Sequence, residues 1–535
     1  MGTDILGLVS DLLAQLRYDP ARPLLFNSEL FLGTFLVFMA GYMIVHQRVW
    51  LRILYILLYS FFFYYKSSGW ALGLLVGSAL VNYLLGIWLY QSEENRQRQI
   101  VALGVILNLG LLAYFKYTNF LIGTFNPLLP VKVPEQDLFL PVGISFFTFQ
   151  AISYLLDIRR QKIIPVRNPV EFLFYISFFP HLLAGPIVRA SEFVHQIRQP
   201  VVVSPEALGR GLLLIAGGLF KKAVISDYIS ENLVDRVFEA PGLYSGLENV
   251  LGLYGFSLQI YCDFSGYTDM AIGIALLMGY QLPQNFRTPY QSAGIQEFWR
   301  RWHISLSSWL RDYLYISLGG NRKGGLRTYL NLMVTMLLGG LWHGASWQFV
   351  LWGALHGMAL ALDRMMQDGK AWLQDQLVLL LDRLDAYAVS RQHAVNDTRI
   401  TLMRQLRWFL QGGFTLVVSV LYHLAGVMLT FHFVSFCWIF FRSASFEIAT
   451  EMLGQLTTFF TQPINWAILA GYREVIMWML LGYILHFLPE EVSRWAERRM
   501  VQMPVWAKSL ALALVIWLVL ITRSSEVNPF IYTQF

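Results

Sequence analysis

QEFWRRWHISLSSWLRDYLYISLGGNRKGG, residues 296–325, and LLGGLWHGASWQFVLWGALHG, residues 337–357, set His303 and His343 among tryptophans and glycines in a chain that is otherwise largely soluble in hydrocarbon. An ionisable side chain inside an apolar membrane segment is costly, so each imidazole marks a candidate functional site. At about 100° per residue, Arg300, His303, Ser307 and Arg311 share one polar stripe, with Phe298, Trp302, Leu306, Trp309 and Tyr313 opposite. The pattern predicts one amphipathic helix, too charged for lipid on all sides, lying at the interface or lining a water-filled cavity. A basic membrane-surface helix fits the periodicity as well. Residues 328–362 are mostly apolar, with His343 deep within them. Gly339, Gly340 and Gly344 beside it allow unwinding and close backbone approach. A structural histidine bonded to a neighbouring carbonyl is the alternative there, and His356 reads as packing alone.

Working outward, 56% of the 535 residues are hydrophobic, 16% aromatic and only 14% charged, where soluble domains carry about a quarter charged residues. The fold class is therefore an all-α polytopic membrane protein. Segments near the ~20 apolar residues that cross a bilayer fall at 28–46, 49–65, 69–91, 100–123, 139–157, 170–187, 208–227, 246–262, 328–345, 346–362, 408–442, 475–489 and 507–522. Some of these are expected to be re-entrant or oblique. Cys262 and Cys437 support neither a disulfide framework nor a metal site. Nothing resembles a nucleic-acid module, and residues 1–27 lack the pattern of a removable signal peptide.

Loop charge predicts the orientation. Arg48, Arg52, Arg96, Arg98, Arg159, Arg160, Lys162 and Arg167 flank the first, third and fifth loops, whereas the second and fourth hold Lys66, Lys116 and Lys132. An excess of basic residues marks the cytoplasmic side. Both termini are therefore expected outside, because Arg494, Arg498, Arg499 and Lys508 put the last loop inside.

FPHLLAGPIVR, residues 179–189, breaks a helix through Pro180, Gly185 and Pro186, with His181 as a kink partner. QIYCDFSGYTDMAIG, residues 259–273, carries Asp263 and Asp269 in apolar context. They read as buried, hydrogen-bonded carboxylates holding a re-entrant turn at Ser265 and Gly266, with acid-base or cation chemistry as the alternative. Residues 367–405 read as a polar, cytoplasmic helical insertion within a single domain spanning 1–535. Residues 296–357 are its candidate catalytic core, and 524–535 an aromatic tail on the outer side.

LNLGLLAYFKYTNF (107–120), LPVGISFFTFQAISYLLD (140–157), FPHLLAGPIVRASEF (179–193), GLFKKAVISD (218–227), YCDFSGYTDMAIGIA (261–275), EFWRRWHISLSSWLRDYLYI (297–316) and GGLWHGASW (339–347) together resemble the membrane-bound O-acyltransferase (MBOAT) family. The similarity is to its bacterial branch of alginate O-acetylation proteins and teichoic-acid D-alanyl transferases. The resemblance implies a ring of tilted helices around a central tunnel, His343 as the essential histidine and His303 as the second active-site histidine. It also implies acetyl-CoA or another acyl thioester as donor, no bound cofactor, and O-acetylation of an exported polysaccharide at the bacterial inner membrane. The expected partners are an extracytoplasmic esterase-like acetyltransferase, the polysaccharide synthase and secretion proteins, and membrane lipids.

His303, Trp299 and Trp302 are candidates to orient the acceptor or stabilise an oxyanion, Trp342 to bind substrate or donor, and Arg300, Arg301 and Arg311 to attract donor phosphates, with anchoring to lipid headgroups as the alternative for the arginines. Tyr532, in the terminal NPFIYTQF, is a candidate acyl relay, although Thr533 stands where the family usually has another aromatic; an interfacial aromatic anchor is the alternative. The competing functions are D-alanyl transfer from a carrier protein, acylation of a lipid or protein, and transport without chemistry.

Overall fold

A chain this apolar has to satisfy its peptide groups internally, and among the described residues it does so with helices alone. The computed structural model describes residues 14–20, 22–390, 415–522 and Ile531. Helix α1 (Glu29–Val45) starts at Ser28, whose hydroxyl accepts from the Phe31 N–H. It is followed by α2 (Val49–Ser68), α3 (Ala71–Gln91) and α4 (Glu94–Leu112), the last continuing through a π-helical turn, Ala113–Tyr117, into Thr118–Phe125. Asn82 and Asn108 exchange amide hydrogen bonds of 3.1 and 2.7 Å across the buried α3–α4 contact. Helix α5 (Ile144–Arg159) packs on both.

Helix α6 (Pro169–Ser177) stops at Phe178, and a short turn, Phe179–Leu182, leads into extended chain, so the break expected at Pro180 to Pro186 is present. His181 is buried with Nε2 3.0 Å from the Tyr175 carbonyl oxygen, as a kink partner should be. Helix α7 (Pro205–Leu219) continues as the π-helical run Phe220–Ser226 and lies along α8 (Gly246–Leu277). The seam between them is glycine. A Cβ on Gly218 would sit 2.6 Å from the Gly266 carbonyl oxygen, and one on Gly273 2.6 Å from that of Gly211.

The expected re-entrant turn at Ser265 and Gly266 does not occur, because α8 is unbroken there and Gly266 serves the seam. Asp263 and Asp269 are ion-paired in place, to Lys222 at 2.7 Å and Lys221 at 2.5 Å. Gly273→Leu is expected to destabilise the fold by about 3 kcal/mol or more, since backbone and not a flexible side chain blocks the added atoms. Recovery of folded protein by size exclusion, and its melting temperature, would check this.

After α9 (Ile295–Arg301) and α10 (Ile304–Trp309), α11 (Gly325–His343) and α12 (Trp347–Ser390) form an antiparallel hairpin. Gly339 and Gly340 do not unwind α11, which runs intact to His343. A Cβ on Gly340 would strike the Phe349 carbonyl, and one on Gly353 the Met336 carbonyl, so these glycines bring two backbones together. Helix α12 is about 66 Å long at 1.5 Å per residue. The described part of the polar stretch 367–405 is helical and continuous with this helix, and 391–405 lies outside the described residues.

Helices α13 (Thr415–Arg442), α14 (Phe446–Thr458), α15 (Arg473–Phe487), α16 (Glu490–Gln502) and α17 (Val505–Thr522) complete the described chain. By length and hydropathy, Ala71–Gln91, Glu94–Leu128 and Ser419–Arg442 can each cross a membrane unaided, and α15 with α16 qualifies as one span bent by 92°. The other apolar segments are shorter, broken or interrupted by buried polar groups. Helix Val49–Ser68, for instance, buries Arg52 and Lys66.

Between elements, Arg52 donates to the Ile197 and Gln199 carbonyls, Arg160 to the Asp312 carbonyl, Arg287 forks onto Glu490 at 2.6 and 3.0 Å, and Arg442 pairs with Asp235, while residues 129–137 are exposed.

Candidate active site

His303 owes its place to a residue the helical projection does not include. The expected single amphipathic helix is two: α9 ends at Arg301, Trp302 is extended, and His303 takes the left-handed conformation (φ 43°, ψ 56°) before α10 begins. A β-carbon pays for that conformation, so the surroundings must hold it. Asn285 does so. Its carbonyl accepts from the Ile304 N–H at 2.9 Å, and its side-chain oxygen accepts from the Ser305 N–H (3.1 Å) and hydroxyl (2.9 Å) and faces His303 Nδ1 at 3.1 Å. A backbone N–H can only donate, so Asn285 turns its oxygen here and Nδ1 carries the proton. In the neutral ring, Nε2 is then the acceptor. The ring is fully buried, with the edge of Phe264 at 4.6 Å and Trp342 at 6.0 Å between centroids.

His343 closes α11. The carbonyls that a helix leaves unpaired at this end are taken by Tyr117, whose hydroxyl donates to Leu341 at 2.7 Å, and by Lys116, whose ammonium donates to Trp342 at 2.7 Å and to His343 at 3.0 Å. A cation here also complements the helix dipole. Lys116 is therefore not the loop charge it was counted as in the orientation argument; the π-helical turn aims it inward. The His343 ring is boxed by Trp342, Trp352 and Phe441 at 5.0, 5.0 and 5.4 Å.

A cavity of about 70 Å³, room for several waters, adjoins this box. His343, Trp342 and Lys116 line it together with Gly143, Ile144 and Phe146 of the turn into α5. That turn follows the exposed 129–137 segment.

The sequence candidates separate clearly. Trp342 touches both imidazoles. Trp299 lies a ring away, against Trp352 and His356 at 5.6 and 5.2 Å, and Trp302 is packed between Phe298, Phe286 and Trp438. The indole N–H groups of all four tryptophans 299, 302, 342 and 352, and both nitrogens of His356, are buried and have no hydrogen-bond partner among the described residues. Buried donors left this way are costly, so their concentration around the two histidines marks where polar molecules belong. His356, read from the sequence as packing, is fully buried against Trp299 and Trp352.

Arg301 is committed to Glu297 at 2.6 Å and Arg311 to Asp312 at 2.7 Å, while Arg300 is exposed. Burial pushes the Asp312 carboxyl up, but Arg311 and Arg189 outweigh it and hold it below its usual value. Tyr532 lies outside the described residues. Sequence reasoning missed Asn285 and Trp352 and misplaced Lys116; only the last carried a signal, as a lysine inside an apolar run.

Residues 129–374 match a family model described as MBOAT, membrane-bound O-acyltransferase family. The chain is 36% identical to a peptidoglycan O-acetyltransferase of Helicobacter pylori, over 80% of this chain and 79% of that one. It is 33% identical to a probable alginate O-acetylase AlgI of Pseudomonas putida, over 96% and 100%. A teichoic acid D-alanyltransferase of Bacillus subtilis is 29% identical over 48% of this chain and 71% of its own.

Proposed function

The chain belongs to the membrane-bound O-acyltransferase family, and from that membership we propose that it carries an acetyl group from cytoplasmic acetyl-CoA across the membrane for O-acetylation of an exported polysaccharide, with His343 as general base. It is an acyltransferase and a multi-pass membrane protein, so transport without chemistry drops out. The observation that carries the rest is the setting of His343: an imidazole buried at a helix end, on the wall of a cavity, between indole donors that have no partner among the described residues.

In the step we propose, neutral His343 takes the proton of an attacking hydroxyl as its oxygen bonds the thioester carbonyl carbon. The C–S bond breaks, the departing sulfur takes the proton from the imidazolium, and ester and thiol result. The Trp342 N–H stabilises the oxyanion, and His303, its ring fixed by Asn285, helps to shape the space in which the acceptor is oriented. Tyr532 is the first such hydroxyl, a reading supported by the burial of its neighbour Ile531. An extracytoplasmic esterase-like acetyltransferase then takes the group to polymer beside the synthase. Loop charge supports placement in the inner membrane with both termini outside. The Bacillus relative favours a second reading, D-alanyl transfer from a carrier protein to teichoic acid.

Purified protein given labelled acetyl-CoA is expected to release thiol and to carry label on its C-terminal peptide. Tyr532→Phe should lose that label and at least tenfold of the transfer. Full transfer by Tyr532→Phe would end the relay. Discharge of an alanyl-loaded carrier with no turnover of acetyl-CoA would replace acetyl by D-alanyl.

A further inference from the structure

We propose that Lys222 and Asp263 form a positioning pair that seats the main chain at Ile531 close to the His303 pocket. The pair lies outside the catalytic groups described above. Lys222, on the π-helical run after α7, is buried and lies 2.8 Å from Asp227 and 2.7 Å from Asp263. One ammonium between two carboxylates leaves an excess negative charge at membrane depth, where it demands another donor. The donor present is the backbone N–H of Ile531, 2.8 Å from the second oxygen of Asp263. Ile531 is 4% exposed although only four residues follow it in the sequence.

The seat is next to the chemistry. Asp263 precedes Phe264, whose ring edge meets His303 at 4.6 Å. The π-helical run sets Lys222 in place, since Gly266 on α8 lets the Lys222 backbone come close. Lys222 fixes one oxygen of Asp263 and leaves the other for the tail. Recognition is through the main chain, so it needs an N–H at position 531 more than any particular side chain. That Ile531 is seated stands on these contacts; that seating serves acyl transfer rests on the relay proposed for Tyr532.

Cys262 and Cys437 are both buried, so a thiol introduced by Gln534→Cys reports tail position in the full-length protein with little background. Ile531→Pro deletes the N–H and leaves Lys222, Asp227 and Asp263 intact, whereas Ile531→Val keeps it. Labelling by a thiol reagent is expected to be at least tenfold faster with Ile531→Pro than with Ile531→Val, and similarly faster with Asp263→Leu. Equal rates for the two position-531 variants overturn the seat. If Asp263→Leu does not elute as folded protein, the position-531 comparison decides alone. Turnover is read separately: an active Tyr532→Phe disposes of the relay, while the labelling rates still decide the seat.

Discussion

Replacing His343 with alanine is expected to lower acyl transfer about 10³-fold, within the range that a positioned general base contributes, while the protein still folds. The helix end will hold, because Lys116 and Tyr117 grip the carbonyls of residues 341–343 and not the imidazole. The deleted ring enlarges a cavity that already exists beside Trp342 and Phe146, which should cost about 2–3 kcal/mol. Thiol release from labelled acetyl-CoA, measured on material of unchanged elution profile, separates lost chemistry from lost fold. Turnover above a tenth of the parent's would remove His343 from the role of base.

The second large effect is expected at Asn285, which touches no substrate in the mechanism proposed. Asn285→Leu withdraws the acceptor shared by the Ser305 N–H, the Ser305 hydroxyl and His303 Nδ1. Buried donors left unpaired cost about 1–3 kcal/mol each, so the left-handed turn at His303 loses what holds it. A kcat about 10²-fold lower, a lower melting temperature and little change in KM for the donor are expected. Asn285→Asp keeps an oxygen in the same place and should recover most of the rate. If the leucine variant turns over normally, the orientation of His303 is not needed for the reaction.

These two sites also show what could be read from the sequence. His343 stood out as a candidate because an imidazole in an apolar segment is costly and its surrounding motif resembles one family. The conformation of His303 was not. A helical wheel places it beside Arg300 on one stripe, but the turn is dictated by Asn285, eighteen residues upstream, a contact that periodicity does not encode. Lys116 was visible and misassigned, since a charge near a span end looks the same whether it meets water or the carbonyls of another helix. The all-helical class followed from composition. The unbroken α8 did not, because a glycine in an apolar helix signals a bend and a close crossing equally well.

The glycine seams carry one more implication. Along α7 against α8, and α11 against α12, carbonyl oxygens of one helix stand where a single methyl group of the other would collide. Backbones meshed that tightly have no slack for the rocking of one half of a molecule past the other by which many carriers ferry their cargo. Any opening of the cavity beside His343 then falls to the side chains and the turn that line it, Trp342 and Gly143 among them.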